Sequence, residues 1–244
     1  MIKTGIPHTS ILYIDIETVH GYPKLFECPA SLATAWVHVC DNRHKDEGDD
    51  YGALYKKHGA LYPEFGRIVC ISLGYFENET DFRVRAFTGT DEKKLLDEVS
   101  TAITKFSTKY KIIGGHNIKQ FDVPYIIRRS VIQNALLPIT FDLFGKKPWE
   151  LNDFIDTLEI WKSGAVYLGS STLESIAAAF GFKSPKEEMD GSMVSTFYYL
   201  PSGPDFKKIG NYCNFDTISA ACIYIRMIRG DAFMKTIKVV ENIV

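Results

Sequence analysis

Two acids, Asp15 and Glu17, stand two residues apart at the end of an apolar run, SILYIDIET. In a β-strand, side chains at i and i+2 leave the same face. Ile14 and Ile16 then pack on one side while both carboxylates project from the other. About 6–7 Å apart along a strand, two such charges repel unless something positive lies between or beside them. Oxygen-only ligands suit a hard divalent ion, Mg²⁺ or Mn²⁺. The plainer reading is a strand end emerging into solvent, and with 30 Asp and Glu in the chain such pairs also arise by chance.

Two further clusters have chemistry to offer. In NYCNFDTISAACIYI, the apolar spacing is helical, so Tyr212 and Asp216 share a helix face at i and i+4. A carboxylate there can hold a metal while a phenol one turn away reaches a water. The alternative is an amphipathic helix with a buried Tyr and an exposed Asp. In GGHNIKQFDVPYI, Asp122 opens a helix, where the helix dipole favours an acid and a simple cap would suffice. Phe121 beside it is placed to wedge against a base, and Asn117 to hydrogen-bond sugar or phosphate.

These residues need strands and helices to bring them together. Residues 10–16 predict a buried strand, Arg67 to Phe76 a second, and Asp81 to Phe87 its hairpin partner across Glu77-Asn78-Glu79. Thr90 is expected to cap an amphipathic helix with Leu95, Leu96, Val99, Ile103 and Phe106 on one face. A short strand over 111–114 leads to a helix over about 120–133, with Pro124 in its first turn. A strand near 151–156, a helix opened by Ser171 or Thr172 and ending near Gly181, and a long helix over about 205–229 stopped by Gly230 complete the order. Residues 41–66 read as a loop or helical excursion on the surface, after a loose stretch containing Gly21, Pro23 and Pro29. The expectation is one α/β domain over 1–244, a mixed sheet with helices on its faces.

Together the three clusters resemble the three motifs of the DEDD superfamily of 3′–5′ exonucleases. YIDIET is similar to D-x-E, HNIKQFD to N-x-x-x-F-D, and YCNFD to Y-x-x-x-D, in the family's order from Asp15 to Asp216. The Tyr marks the DEDDy branch; the position where the other branch carries His is Asn211. GGHNIKQFDVPYI is similar to the exonuclease domain of family B DNA polymerases, and 244 residues leave no room for a polymerase domain, so a stand-alone relative is implied.

The resemblance implies a ribonuclease H-like mixed sheet of five strands flanked by helices. It implies that Asp15, Glu17, Asp122 and Asp216 bind two divalent ions, Mg²⁺ or Mn²⁺, and that Tyr212 orients or helps deprotonate the attacking water. Thr18, Asn117 and Phe121 would hold the terminal nucleotide, and the product would be a nucleoside 5′-monophosphate. Single-stranded DNA is the expected substrate. A 3′–5′ exoribonuclease is the alternative within the class, and a non-catalytic nucleic-acid-binding module, which would be expected to lose an acid, is the alternative outside it. Asp156 in FIDTLEIW is either a further site residue or a helix N-cap. His116 is read as a structural hydrogen-bonding residue, and the loop-like stretch with Lys186 and Asp190 carries no assigned role.

Composition narrows the rest. A formal charge of −2 argues against a tight, non-specific coater of duplexes, though bound metals can supply positive charge locally. Five cysteines with no C-x-x-C pair support neither a disulfide framework nor a zinc knuckle. With no visible signal peptide and no uncharged run near 18 residues, the expectation is a cytoplasmic protein without a membrane partner.

Overall fold

The alternation in SILYIDIETVH becomes strand β1, Ile11–His20, in a computed structural model that describes residues 2–48, 50–143, 145–147, 150–165, 171–182 and 189–243. Its even positions Leu12, Ile14 and Ile16 pack in one core, and its odd positions Ile11 and Tyr13 in another on the opposite face of the sheet. Asp15 and Glu17 continue the odd series.

Strands β2 (Gly66–Phe76), β3 (Asp81–Thr88), β4 (Ile112–Gly115), β5 (Phe154–Asp156) and β6 (Lys238–Ile243) complete a sheet ordered β5-β4-β1-β2-β3-β6. β1, β2 and β3 form an antiparallel meander, while β4 runs parallel to β1 and β5 to β4. The sheet therefore has six strands, not five. The added β6 lies parallel to β3 at the edge, where Val239 and Val240 stay exposed. Its position rests on backbone pairing, so it leaves little alternation to read in the sequence.

Helix α1 (Ala30–Arg43) was no part of the expected order, because it buries only Trp36 and Cys40 and shows a narrow apolar stripe. With α2 (Tyr51–His58) it builds a small core of Trp36, Cys40, Leu54, Tyr55 and Phe65. The segment over 41–66 is thus helical in part and is fastened to the sheet. The Ala60 carbonyl accepts hydrogen bonds from Thr18 Oγ1 and Tyr125 Oη, both at 2.9 Å.

Helix α3 (Glu92–Phe106) starts one residue later than expected: Asp91, not Thr90, caps it by accepting from the Lys94 amide. Leu95, Leu96, Val99 and Ile103 bury its predicted face against β1 and β2, along with Val123 and Ile126 of α4 (Asp122–Gln133). Glu92 and Arg129 join α3 to α4 through paired hydrogen bonds of 2.9 and 2.5 Å, and both residues are buried. Glu92 Oε1 also accepts from the Ile68 amide, and Arg129 Nη1 donates to the Pro63 carbonyl. Removing one partner of such a pair typically costs ~3–5 kcal/mol, because the other charge is left buried.

Asp156 caps the short α5 (Thr157–Lys162), and Thr172 caps α6 (Leu173–Ala179) with a capping box. After α7 (Val194–Tyr198), Asp205 opens α8 (Phe206–Arg229), which ends at Gly230 with φ 84° before α9 (Asp231–Met234). α8 covers the odd face of β1, where Ile11 and Tyr13 pack with Ala221, Tyr224 and Ile225. It approaches β2 closely at Gly74, where a Cβ would lie 2.9 Å from Thr217 Cγ2. No helix among the described residues is long and apolar enough to cross a membrane.

Candidate active site at the end of β1

Each acid arrives on a different element. β4 pairs with β1 only as far as Tyr13, and beyond that point the Ile16 amide donates to Asp122 Oδ1 at 3.1 Å. The first residue of α4 is thereby docked between Asp15 and Glu17. On the other side, α8 presents Tyr212 and Asp216 one turn apart, as their spacing predicts. Asp15, Glu17, Asp122, Tyr212 and Asp216 all line one cleft of about 200 Å³.

The electrostatics of the cleft are those of an uncompensated acid cluster. Burial pushes the Asp15 carboxyl well up, and Asp216 and Asp122 push it further. Glu17 is raised well above the carboxylate range by burial, then by Asp15 and Asp216. Asp122 is raised to about 7, chiefly by burial and against the lowering effect of its own amide and that of Ile16. No Lys or Arg among the described residues lines the cleft. An all-oxygen donor set with excess buried negative charge fits a hard divalent cation. Tyr212 is likewise raised, by burial first and then by Asp216, so its hydroxyl keeps its proton.

The loop that carries Asn117 and Phe121 is held from below. Asp156 Oδ1 accepts from the Asn117 amide at 2.8 Å and from Leu158 at 2.9 Å, while Oδ2 accepts from Lys119 at 3.2 Å. Asp156 is therefore an N-cap that also fixes the recognition loop, and it does not line the cleft. Asn117 sits in the left-handed region at φ 60°, and its carbonyl accepts from Gln120 and Phe121. His116 bonds Thr157 Oγ1 at 2.8 Å, and burial lowers its pKa to about 4, consistent with a neutral structural imidazole.

Asn117 and Phe121 line the cleft, whereas Thr18 does not: its hydroxyl is spent on Ala60. Asp190 accepts from the Ser192 amide and caps the turn that brings Gly191 to the cleft. Lys186 lies outside the described residues. Sequence reasoning missed Cys213, whose Sγ lies 3.3 Å from Asp15 Oδ2. Burial and a hydrogen bond with Cys70 push its thiol well up, so it donates to the carboxylate. Its place beside Tyr212 was the available signal. It also missed Leu173 and Gly191, which nothing in the sequence marks. Past Tyr212 the cleft adjoins a larger hollow of about 460 Å³, with which it shares Leu173, Gly191, Tyr212 and Asp216.

A meander extended by two parallel strands, with acids gathered at the end of its first strand, defines an α/β protein of the ribonuclease H-like class. Residues 58–228 match a family of the RNase H superfamily, and the chain belongs to that superfamily. The matched residues include Asp122, Tyr212 and Asp216 and begin after Asp15 and Glu17. Comparison with curated protein sequences finds no match. The fold is similar to that of the family B DNA polymerase from the hyperthermophilic archaeon Pyrobaculum calidifontis, with a TM-score of 0.54 and 15% identity. That match covers 94% of this chain and 27% of the polymerase, so the chain spans about a quarter of its length. At this identity the likeness is one of fold. Superfamily membership supports a nucleolytic enzyme that acts on nucleic acid with divalent metal.

Proposed function

We propose that the chain is a 3′–5′ exonuclease that removes nucleoside 5′-monophosphates from single-stranded DNA. The observation that carries this reading is the meeting of Asp15, Glu17, Asp122 and Asp216 with Tyr212 in one cleft. The similarity of YIDIET, HNIKQFD and YCNFD to the DEDDy motifs supports it.

Asp15, Glu17, Asp122 and Asp216 would hold two Mg²⁺ or Mn²⁺ ions. When bound, such ions supply a nucleophilic water at neutral pH and stabilise charge on the phosphate and leaving oxygens. The protein's own residues do the rest. The Tyr212 hydroxyl, kept protonated, orients the water by hydrogen bonding and does not act as a base. Phe121 stacks on the terminal base, and Asn117, whose carboxamide lines the cleft, contacts sugar or phosphate. The Cys213 thiol fixes the rotamer of Asp15.

The test is a product ladder from 5′-labelled and 3′-labelled single strands of DNA and RNA, with Mn²⁺ and with EDTA. The expected result is stepwise shortening of 5′-labelled DNA, immediate release of the 3′ label as a mononucleotide, and no reaction in EDTA or with Asp15→Ala. Internal cuts, or undiminished activity of Asp15→Ala, would reject the assignment. Faster shortening of RNA would move the substrate to the exoribonuclease alternative.

A further inference from the structure

A second group of metal-capable side chains lies outside the acid cleft. His44 follows the last turn of α1, Glu47 ends a 3-10 turn, and His58 is the last residue of α2. One ligand atom from each lies within 4.8 Å of the other two. His44 Nδ1 is 2.8 Å from Glu47 Oε1, and His58 Nε2 is 2.8 Å from Glu47 Oε2. The two imidazoles stack face to face, with centroids 4.1 Å apart and planes inclined by 11°. Two rings thus aim one nitrogen each at a single carboxylate.

The outer contacts fit coordination. His44 Nε2 lies 3.0 Å from Tyr62 Oη. When Nε2–H donates to that oxygen, Nδ1 presents its lone pair toward Glu47, as in a metal-bound histidine held by an outer hydrogen bond. A lone pair against a carboxylate oxygen at that distance needs a proton or a cation between them. Hydrogen bonds from Lys57, His58 and His44 hold Glu47 ionised, with its pKa lowered to about 2. Metal–ligand bonds of about 2.0–2.1 Å in a tetrahedron require the two N···O gaps to open by only ~0.5 Å.

We propose that His44, Glu47 and His58 form a second metal site, selective for a borderline divalent ion of the Zn²⁺ or Co²⁺ type, with water as the fourth ligand. Two imidazoles and one carboxylate favour such an ion over Mg²⁺, whereas the oxygen-only cleft has the opposite preference. The ion would tie the C-terminal ends of α1 and α2 together over the Trp36 core. This site does not depend on the nuclease reading.

The test is titration of the metal-free full chain with Co²⁺ in the presence of excess Mg²⁺, followed by visible absorption. The expected result is one Co²⁺ per chain with intense d–d bands, displaced by an equivalent of Zn²⁺. His44→Gln and His58→Gln should each weaken binding at least ~10-fold, because one of three protein ligands is lost. Lys57→Ala should tighten it by about threefold, because the ammonium 2.6 Å from Glu47 Oε2 no longer competes. Circular dichroism checks the fold of each variant. Absence of Co²⁺ binding under excess Mg²⁺, or bands that persist unchanged in His58→Gln, would overturn the site. If the histidine variants do not fold, unchanged affinity in Lys57→Ala, whose side chain is exposed, would overturn it equally.

Discussion

The carboxylate of Asp122 accepts a hydrogen bond from the backbone N–H of Ile16, the residue that separates Asp15 from Glu17. This contact joins two motifs 106 residues apart through a main-chain donor. The spacing of the acids is therefore set by backbone geometry and is insensitive to the side chain at position 16.

Asp122→Asn keeps that acceptor and removes the charge. Activity on single-stranded DNA should fall by about 10²–10³-fold, as expected when a group that organises transition-state charge is neutralised. In EDTA at pH 8, however, the variant should melt several degrees above the wild type, since a carboxyl raised to about 7 is destabilising when ionised. Single-turnover assays and calorimetry read the two effects separately. A variant that melts lower in EDTA would contradict the electrostatic account.

The same acids predict the pH dependence of the metal-free protein. Asp122 titrates near 7 in the folded chain and near ~3.9 unfolded, and Asp15 and Glu17 shift in the same direction. The folded state binds protons that the unfolded state has released, so this stability is full below about 4 and is lost as pH rises through 7. His116 and His20, lowered by burial, work oppositely, but their stability is already complete above ~6.5. Between pH 6.5 and 8 the melting temperature in EDTA should therefore fall. Saturating Mg²⁺ should flatten that slope, and its apparent affinity should rise with pH. A melting temperature that climbs across this window in EDTA would be incompatible with the acid cluster.

Tyr212→Phe removes a hydroxyl without opening a hole. If the phenol orients a water, kcat should drop by roughly 10²-fold. KM and the Mn²⁺ dependence should stay within about twofold, since the carboxylates are untouched. Steady-state kinetics over a Mn²⁺ series separates the two, and equal losses in metal affinity and turnover would assign Tyr212 to metal binding instead.

Asp156→Ala would leave the amides of Asn117, Lys119 and Leu158 without their acceptor. Orphaned buried donors cost roughly 1–3 kcal/mol each, reduced wherever water can reach them. The variant should melt lower and show a raised KM for oligonucleotides, with kcat less affected, because the loop carrying Asn117 and Phe121 loses its anchor. Asp156→Asn should recover part of both. An unchanged KM would mean that the loop holds its shape without this acid.

Local patterns made much of this legible in advance. Strand alternation placed Asp15 and Glu17 on the face that α8 covers, and helical spacing put Tyr212 and Asp216 on one turn. Residues defined by partners distant in sequence were harder to read. Cys213 acquires its role only by lying against Asp15, and Thr18 loses a substrate role because Ala60 claims its hydroxyl. Helix α1 escaped notice because two buried side chains make too weak a stripe, and β6 because an edge strand needs little apolar character.

The shared Ala60 acceptor carries a further consequence. Thr18 adjoins the acid strand and Tyr125 belongs to the helix begun by Asp122, and both are fastened to the same main-chain oxygen in the 41–66 excursion. The excursion is consequently no detachable module. Trimming it toward a minimal catalytic core would free the two halves of the acid cluster from a common brace, so the damage would register in turnover even where the rest of the sheet survived.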